Sequence, residues 1–366
     1  MKEPLPIRET ELAAWLLEAL RIDSPSRGEA ALWRRCAQFL EQLGFVVRDD
    51  GTGRRIGGSC GNLIGFLRGD PRLSAVALCA HLDTVPECQG AQPYVDAYGV
   101  VRNRLSRPLG ADDKAGVAAI LFGLRALIDG AMPHGDVVVV LTVAEELGLV
   151  GAGHLAAADL PAEMGLVLDG EGPIGTLFLE GPALARWCLE LPADARSADE
   201  AAMRRCLMAV SARADARGQD GTAAVRIRSF TPAPAGGGMR VEGEVAAPDR
   251  RGAMRALVSA FAPLRRAANT LGFGWRARVR FVSHGYTVHP NDPVCRRVTS
   301  ALRAAGIAPI PAAPGGASDA DALCRLGIPA VNLGIGCEGA HAPGERIRLA
   351  DVADAARVVA AFVAGT

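Results

Sequence analysis

His81 and Asp83, Asp112 and Asp113, the adjacent pair Glu145-Glu146, Asp169 and His341 are the residues whose types and order could do chemistry. Imidazoles and carboxylates are zinc ligands. A hydrolytic two-metal site also needs a carboxylate to bridge the metals and another left free to move protons. His81 and Asp83 are two apart, so on a strand they share a face. A metal-bound imidazole commonly gives its other ring proton to a carboxylate, which is the role expected of Asp83. Asp112 can place one oxygen on each of two metals. Glu145 and Glu146 point in different directions, so one can ligate while its neighbour takes a proton. Asp169 offers a further terminal carboxylate and His341 a second imidazole. Singly, these residues have ordinary readings: a helix N-cap pair, a turn aspartate, a solvated helix end, a surface histidine. Their joint arrangement overturns those readings.

Such groups must be held by elements, and the patterning supplies them. Residues 9–22 and 29–43 read as amphipathic helices, the second opened by a capping box, Ser26-Arg27-Gly28-Glu29. Strand-like runs cover 45–48, 62–67 and 75–80, the last ending at His81. A helix over 115–128, an apolar strand over 136–143, a helix over 149–157 and a strand over 164–168 follow. Helices alternating with continuous apolar strands imply an α/β sheet covered on both faces. Ligands in such sheets gather at the carboxyl ends of strands, where His81, Glu145, Glu146 and Asp169 fall.

From about Glu180 the texture changes to a strand at 183–191, a helix at 197–213, strands at 222–229 and 239–246, a helix at 252–270 and a strand at 276–283. This order fits a ferredoxin-like α+β insert. The run Ala235-Gly236-Gly237-Gly238 reads as a turn between strands. The α/β pattern resumes with a helix at 292–305, a strand at 329–334 and a helix at 348–364. The expected organisation is a discontinuous catalytic domain, 1–179 and 288–366, interrupted by an inserted domain, 180–287.

The composition sets bounds. A chain of 366 residues exceeds one compact core. Lys+Arg and Asp+Glu balance at 40 each, which gives no support for nucleic acid or an anionic membrane as partner. No apolar stretch has membrane-spanning length, and Met1-Lys2-Glu3-Pro4 leads into no signal-peptide core. Nine cysteines without CxxC spacing read as reduced thiols. A cytoplasmic protein is expected.

The motifs His81-Leu82-Asp83-Thr84-Val85-Pro86, Leu109-Gly110-Ala111-Asp112-Asp113-Lys114-Ala115-Gly116, Glu145-Glu146, Leu168-Asp169-Gly170, Gly316-Ala317-Ser318-Asp319-Ala320 and His341 with Glu345 resemble the M20 family of di-zinc metallopeptidases, in particular its peptidase T-like, tripeptide aminopeptidase branch. The resemblance implies a zinc-exopeptidase-like catalytic domain, with helices on both faces of a mixed sheet, and a ferredoxin-like lid. It implies one zinc on His81, Asp112 and Asp169 and another on Asp112, Glu146 and His341, with Co²⁺ or Mn²⁺ as substitutes. Glu145 is then the general base and Asp83 the partner of His81. The implied reaction is amide hydrolysis by a zinc-bridging hydroxide, releasing the N-terminal residue of short peptides. An N-acyl amino acid deacylase and a non-catalytic binding protein on a peptidase fold are the competing readings. A homodimer through the inserted domain is likewise implied.

Two departures from the family pattern stand out. Lids of the family often carry a histidine that reaches the oxyanion, whereas this chain has none between His154 and His284. Arg196 is the nearby cation in the matching region, and Ala246 stands where relatives tend to have arginine. His284 and His289 lie near the return to the catalytic domain, as packing residues or as substrate contacts. Ser318-Asp319 is expected near the substrate, where backbone N–H groups could receive a carboxylate or where the pair could cap the next helix.

Overall fold

The computed structural model describes residues 6–191, 223–232, 238–272, 274–313 and 315–365. They form two compact units, one of Met1–Glu180 with Thr287–Thr366 and the other of Gly181–Tyr286.

In chain order the first unit begins with α1 (Glu9–Arg21), α2 (Ala30–Gln42), β1 (Val46–Asp49), α3 (Thr52–Ile56), β2 (Leu63–Leu67) and β3 (Val76–His81). It continues with β4 (Pro93–Val95), β5 (Val100–Asn103), α4 (Ala111–Asp129), β6 (Val137–Thr142), β7 (Met164–Gly170) and β8 (Thr176–Phe178). The second unit holds β9 (Glu180–Leu191), β10 (Ala224–Pro232), β11 (Met239–Ala247), α5 (Arg250–Leu271) and β12 (Arg276–Thr287). The chain then returns through α6 (Pro293–Ala304), β13 (Ile310–Pro311), α7 (Ala320–Arg325), β14 (Ala330–Gly334), β15 (Arg346–Arg348) and α8 (Leu349–Ala364).

The main sheet has eight strands in the order β1-β2-β6-β3-β7-β14-β8-β13. Its centre, β6-β3-β7-β14, is parallel, while β1, β2 and β8 supply antiparallel pairings. Every residue of β3 and β6 is buried, which is why these strands are continuously apolar rather than alternating. On one face α4 lies against α8 at close range. A Cβ at Gly123 would stand 2.6 Å from the Ala356 carbonyl oxygen, so glycine is required where the helices cross. Trp15 meets Phe39 and Phe122 edge to face, and those two rings pack tilted against each other, between α1, α2 and α4. A small sheet, β15-β5-β4, stands apart from the main one.

In the second unit the order is β10-β11-β9-β12, with α5 on one face. Alternate residues of β9 (Ala185, Trp187, Leu189, Leu191) and of β11 point inward to meet Leu257, Phe261 and Leu264 of the helix. Trp187 and Phe261 meet edge to face with centroids 5.1 Å apart. The expected helix at 197–213 lies outside the described residues, as does most of the glycine turn.

Three expectations change. Residues 149–157 form two short 3₁₀ turns, Ala152–His154 and Ala157–Asp159, not a helix. The N–H groups of Val150 and Gly151 bond back to the Ala144 and Val143 carbonyls, so this glycine-rich stretch folds onto the end of β6. Ser26-Arg27-Gly28-Glu29 is not a capping box: α2 starts without a side-chain cap, because Ser26 and Glu29 bond elsewhere. The β15-β5-β4 sheet was not anticipated, since its strands are three or four residues long and carry no alternation to read.

Candidate metal centre

The parallel core explains how residues so distant in sequence converge. His81 ends β3, Glu145 and Glu146 follow β6, Asp169 lies near the end of β7, and His341 lies on the loop after β14. These four strands are neighbours, so their carboxyl ends form one edge. Asp112 sits at the start of α4 with non-helical φ/ψ, before the helix proper.

His81 Nε2 stands 3.2 Å from Asp112 Oδ1 and 3.6 Å from Asp169 Oδ1. His341 Nε2 stands 3.2 Å from Asp112 Oδ2 and 2.7 Å from Glu146 Oε1. Asp112 therefore presents one oxygen to each histidine. In each triad, His81-Asp112-Asp169 and Asp112-Glu146-His341, the ligand atoms lie within 4.8 Å of one another. Ligands about 2.0–2.1 Å from a tetrahedral zinc are about 3.3 Å apart, which is the scale seen here. Glu146 Oε1 is buried and accepts no well-directed hydrogen bond, although His341 is close. An orphaned carboxylate oxygen among nitrogen and oxygen donors fits a divalent cation. His341 adopts φ 62°, a left-handed conformation unusual for a side-chain-bearing residue and frequent at functional sites.

The electrostatics follow from crowding acids in a buried place. Burial pushes Glu145 well above the usual carboxylate range and Asp169 up to about 7. Burial opposes ionisation of Asp112 too, but its bonds to His341 and His81 outweigh this and hold it low. His341 is raised to about 10 by the carboxylates of Asp112 and Glu146 that stand beside it. For His81, burial disfavours the charged ring, yet Asp112, Asp169 and Glu145 together hold it well above its ordinary value.

Around this centre lies a shell of buried acids that bond to backbone. Asp83 meets the His81 ring through its backbone: Nδ1 is 2.9 Å from the Asp83 carbonyl oxygen and 3.6 Å from its carboxylate. The carboxylate instead accepts from Ser26 Oγ at 2.6 Å and from the N–H groups of Glu145 and Glu146 at 2.9 and 3.1 Å. The Asp83 carboxylate thus lies 3.6 Å from the ring while it also holds the turn after β6. Asp113 accepts from the N–H groups of His81 and Gly116. Glu345 accepts from Leu109, Gly110 and Asp112, fixing the loop that delivers Asp112.

Ser318 and Asp319 are each 2% exposed. Asp319 Oδ2 accepts from Thr142 Oγ1 at 2.5 Å and approaches Cys79 Sγ at 3.9 Å, which ties this side chain to the ends of β6 and β3. Neither side chain caps α7. Burial raises Asp319 to about 6. Arg196 lies outside the described residues. His284 packs edge-on against Phe281, and His289 Nδ1 accepts from the Asn291 N–H. Sequence reasoning missed Glu29 and Asn62, both fully buried and bonded to the turn after β6. Glu29 was hidden by its capping-box spacing, and Asn62 reads as an ordinary turn residue before a strand.

Among the described residues no helix is long and apolar enough to cross a membrane. Comparison with known proteins fits this centre. A Bacillus subtilis protein, YqjE, is 27% identical over 98% of both chains. The aminopeptidase PepT of Bacillus cereus has a structure that matches with a TM-score of 0.88 at 25% identity, covering 98% of this chain and 99% of its own. A tripeptidase of Staphylococcus aureus matches with the same TM-score and identity over 98% of both. Peptidase family M20/M25/M40 matches residues 77–365, a span that takes in every residue of both triads, and the chain belongs to that family as a metallopeptidase.

Proposed function

We propose that this metallopeptidase holds two zinc ions and releases the amino-terminal residue of short peptides. The observation that carries the reading is the pair of donor triads sharing Asp112, with Glu145 beside them. His81, Asp112 and Asp169 hold one ion; Asp112, Glu146 and His341 hold the other. Such a pair, when bound, polarises the scissile carbonyl and acidifies water. Glu145 takes up the water's proton on its carboxylate and passes it to the leaving amine. Nitrogen and oxygen donors also admit Co²⁺ or Mn²⁺. Release from the amino terminus is supported by the likeness to the Bacillus cereus aminopeptidase.

The test is mass-spectrometric turnover of a mixed library of free and N-acylated di- and tripeptides by zinc-loaded protein, with Glu145→Ala alongside. Loss of amino-terminal residues from free peptides alone is expected, with the variant keeping zinc but slowed by about 10²–10⁴-fold. Cleavage confined to acylated members would make the protein a deacylase. Near-normal turnover by Glu145→Ala would remove Glu145 from the mechanism.

A further inference from the structure

Four consecutive N–H groups leave β6 at the turn bearing Glu145 and Glu146, and each meets a side-chain oxygen. Val143 N donates to Asn62 Oδ1 at 3.1 Å and Ala144 N to Glu29 Oε1 at 3.0 Å. Glu145 N and Glu146 N donate to the two oxygens of Asp83. Asn62, Glu29 and Asp83 are all 0% exposed. The turn is not one the chain takes unaided, because Ala144 is held at φ 53°, where a Cβ crowds the backbone.

Each acceptor is itself anchored. Asn62 Nδ2 donates to Asp50 Oδ2 at 2.7 Å and to the Gly151 carbonyl at 3.0 Å. Glu29 Oε1 also accepts from Arg27 N at 2.6 Å, and Ser26 Oγ donates to Asp83. The Ser26–Glu29 turn is tied in turn to Ser59, which donates to the Arg27 carbonyl and accepts from Ala30 N.

We propose that Glu29, with Asn62 and Ser26, is a positioning residue that fixes the turn and so aims Glu145 and Glu146 along their separate directions. Because these two glutamates are adjacent, a small rotation of the turn moves both, one relative to the reacting atoms and one relative to its metal. Burying an acid here is costly, and the second oxygen of Glu29, Oε2, has no hydrogen-bond partner among the described residues. Burial also raises its proton affinity. The acid is retained where its acceptor oxygen meets two backbone donors that an apolar residue would leave unmade.

The inference rests on the roles proposed for Glu145 and Glu146, and its test has readouts of its own. Glu29→Leu should lower kcat by about 10–100-fold, the scale of an ångström's misplacement, with KM changed by less than about threefold. Glu29→Gln, which keeps an acceptor oxygen, should restore most of the rate. Ser26→Ala should cost about fivefold and Ser26→Thr should recover it. In Co²⁺-loaded protein the visible spectrum should shift in Glu29→Leu and Ser26→Ala and return in the conservative variants. Amide exchange at Ala144–Glu146 should quicken with the same pattern. Should Glu29→Leu fail to fold, the Ser26 pair and Glu29→Gln decide by the same readouts. Parental spectra and parental exchange in folded Glu29→Leu, or in Ser26→Ala if it alone is measurable, would overturn the proposal. If the parent cleaves no peptide, the proposed function fails while spectrum and exchange still judge the frame.

Discussion

Replacing Glu345 with alanine should weaken both proposed metal sites at once. The side chain is 2% exposed, and its oxygens go to backbone: Oε2 accepts from Leu109 N at 2.8 Å and Gly110 N at 2.9 Å, and Oε1 from Asp112 N at 3.0 Å. An unmade buried donor costs about 1–3 kcal/mol, so three set a ceiling of about 9 kcal/mol. Relaxation of the loop and entry of water recover part, and a stability loss of about 3–4 kcal/mol is the working expectation. The functional effect follows from Asp112 belonging to both triads. Losing the partner behind a ligand typically costs about 10–100-fold in metal affinity, and here the loss should appear at both sites. Glu345→Gln offers one acceptor oxygen but turns an amide toward backbone donors, so it should fall between the parent and alanine. Competition with a chromophoric chelator gives the affinities for Zn²⁺ or Co²⁺, and urea unfolding gives the stability. Loss at one site with parental affinity at the other would refute the sharing of Asp112; parental affinity at both would refute the clamp.

Other consequences can be checked separately. Stripping the protein with a chelator should abolish peptide hydrolysis and lower the melting midpoint, with Zn²⁺, Co²⁺ or Mn²⁺ restoring both; binding at a hundredfold above Kd stabilises by about 2.7 kcal/mol per site. An unchanged midpoint on metal removal would count against the centre as a cation site. In the second unit, Trp187→Ala should cost about 3–5 kcal/mol by urea unfolding, because the ring is 2% exposed and packed on Phe261; a cost below about 1 kcal/mol would contradict that packing. Burial pushes the thiols of Cys60 and Cys88 up to about 12 and those of Cys295 and Cys324 up to about 11, so at pH 8 all four should resist a disulfide reagent in the native state. Rapid labelling at any of them, located by peptide mass mapping, would go against the burial seen.

What the sequence made legible, and what it hid, divides on physical lines. The run Val137 to Ala144 is apolar because the strand is covered on both faces, and a polar pair directly after it stands out. His81 and Asp169 stand out likewise at the ends of buried strands. Parallel strands bring those ends to one edge, so residue type and position in the element suffice to nominate them. Glu29 has no such signal. Its partner, Ala144 N, is 115 residues away, and bonds of that kind leave no period in the sequence. Locally, Ser26 and Glu29 present the spacing of a capping box, and the long-range bonds to Asp83 and Ala144 win over the local cap. The stretch after Leu149 looked helical by composition, but its N–H groups close onto the end of β6.

The acids around the histidines also sort themselves by what their oxygens already do. Both oxygens of Asp83, Asp113 and Glu345 accept backbone N–H groups, and one of Glu29 does. Those bonds fix the backbone that carries the neighbouring acids, so these carboxylates shape the site. Asp112, Asp169 and Glu146 turn oxygens toward the imidazoles instead. These three are the carboxylates of the proposed ligand set. Glu145 belongs to neither group: it offers its N–H to Asp83, while its carboxylate makes no hydrogen bond or ion pair among the described residues. A carboxylate that does not hold the backbone, and whose proton affinity burial raises, has nothing structural to lose by moving a proton. That combination separates the proposed base from its neighbour Glu146, which the sequence alone could not order except by resemblance.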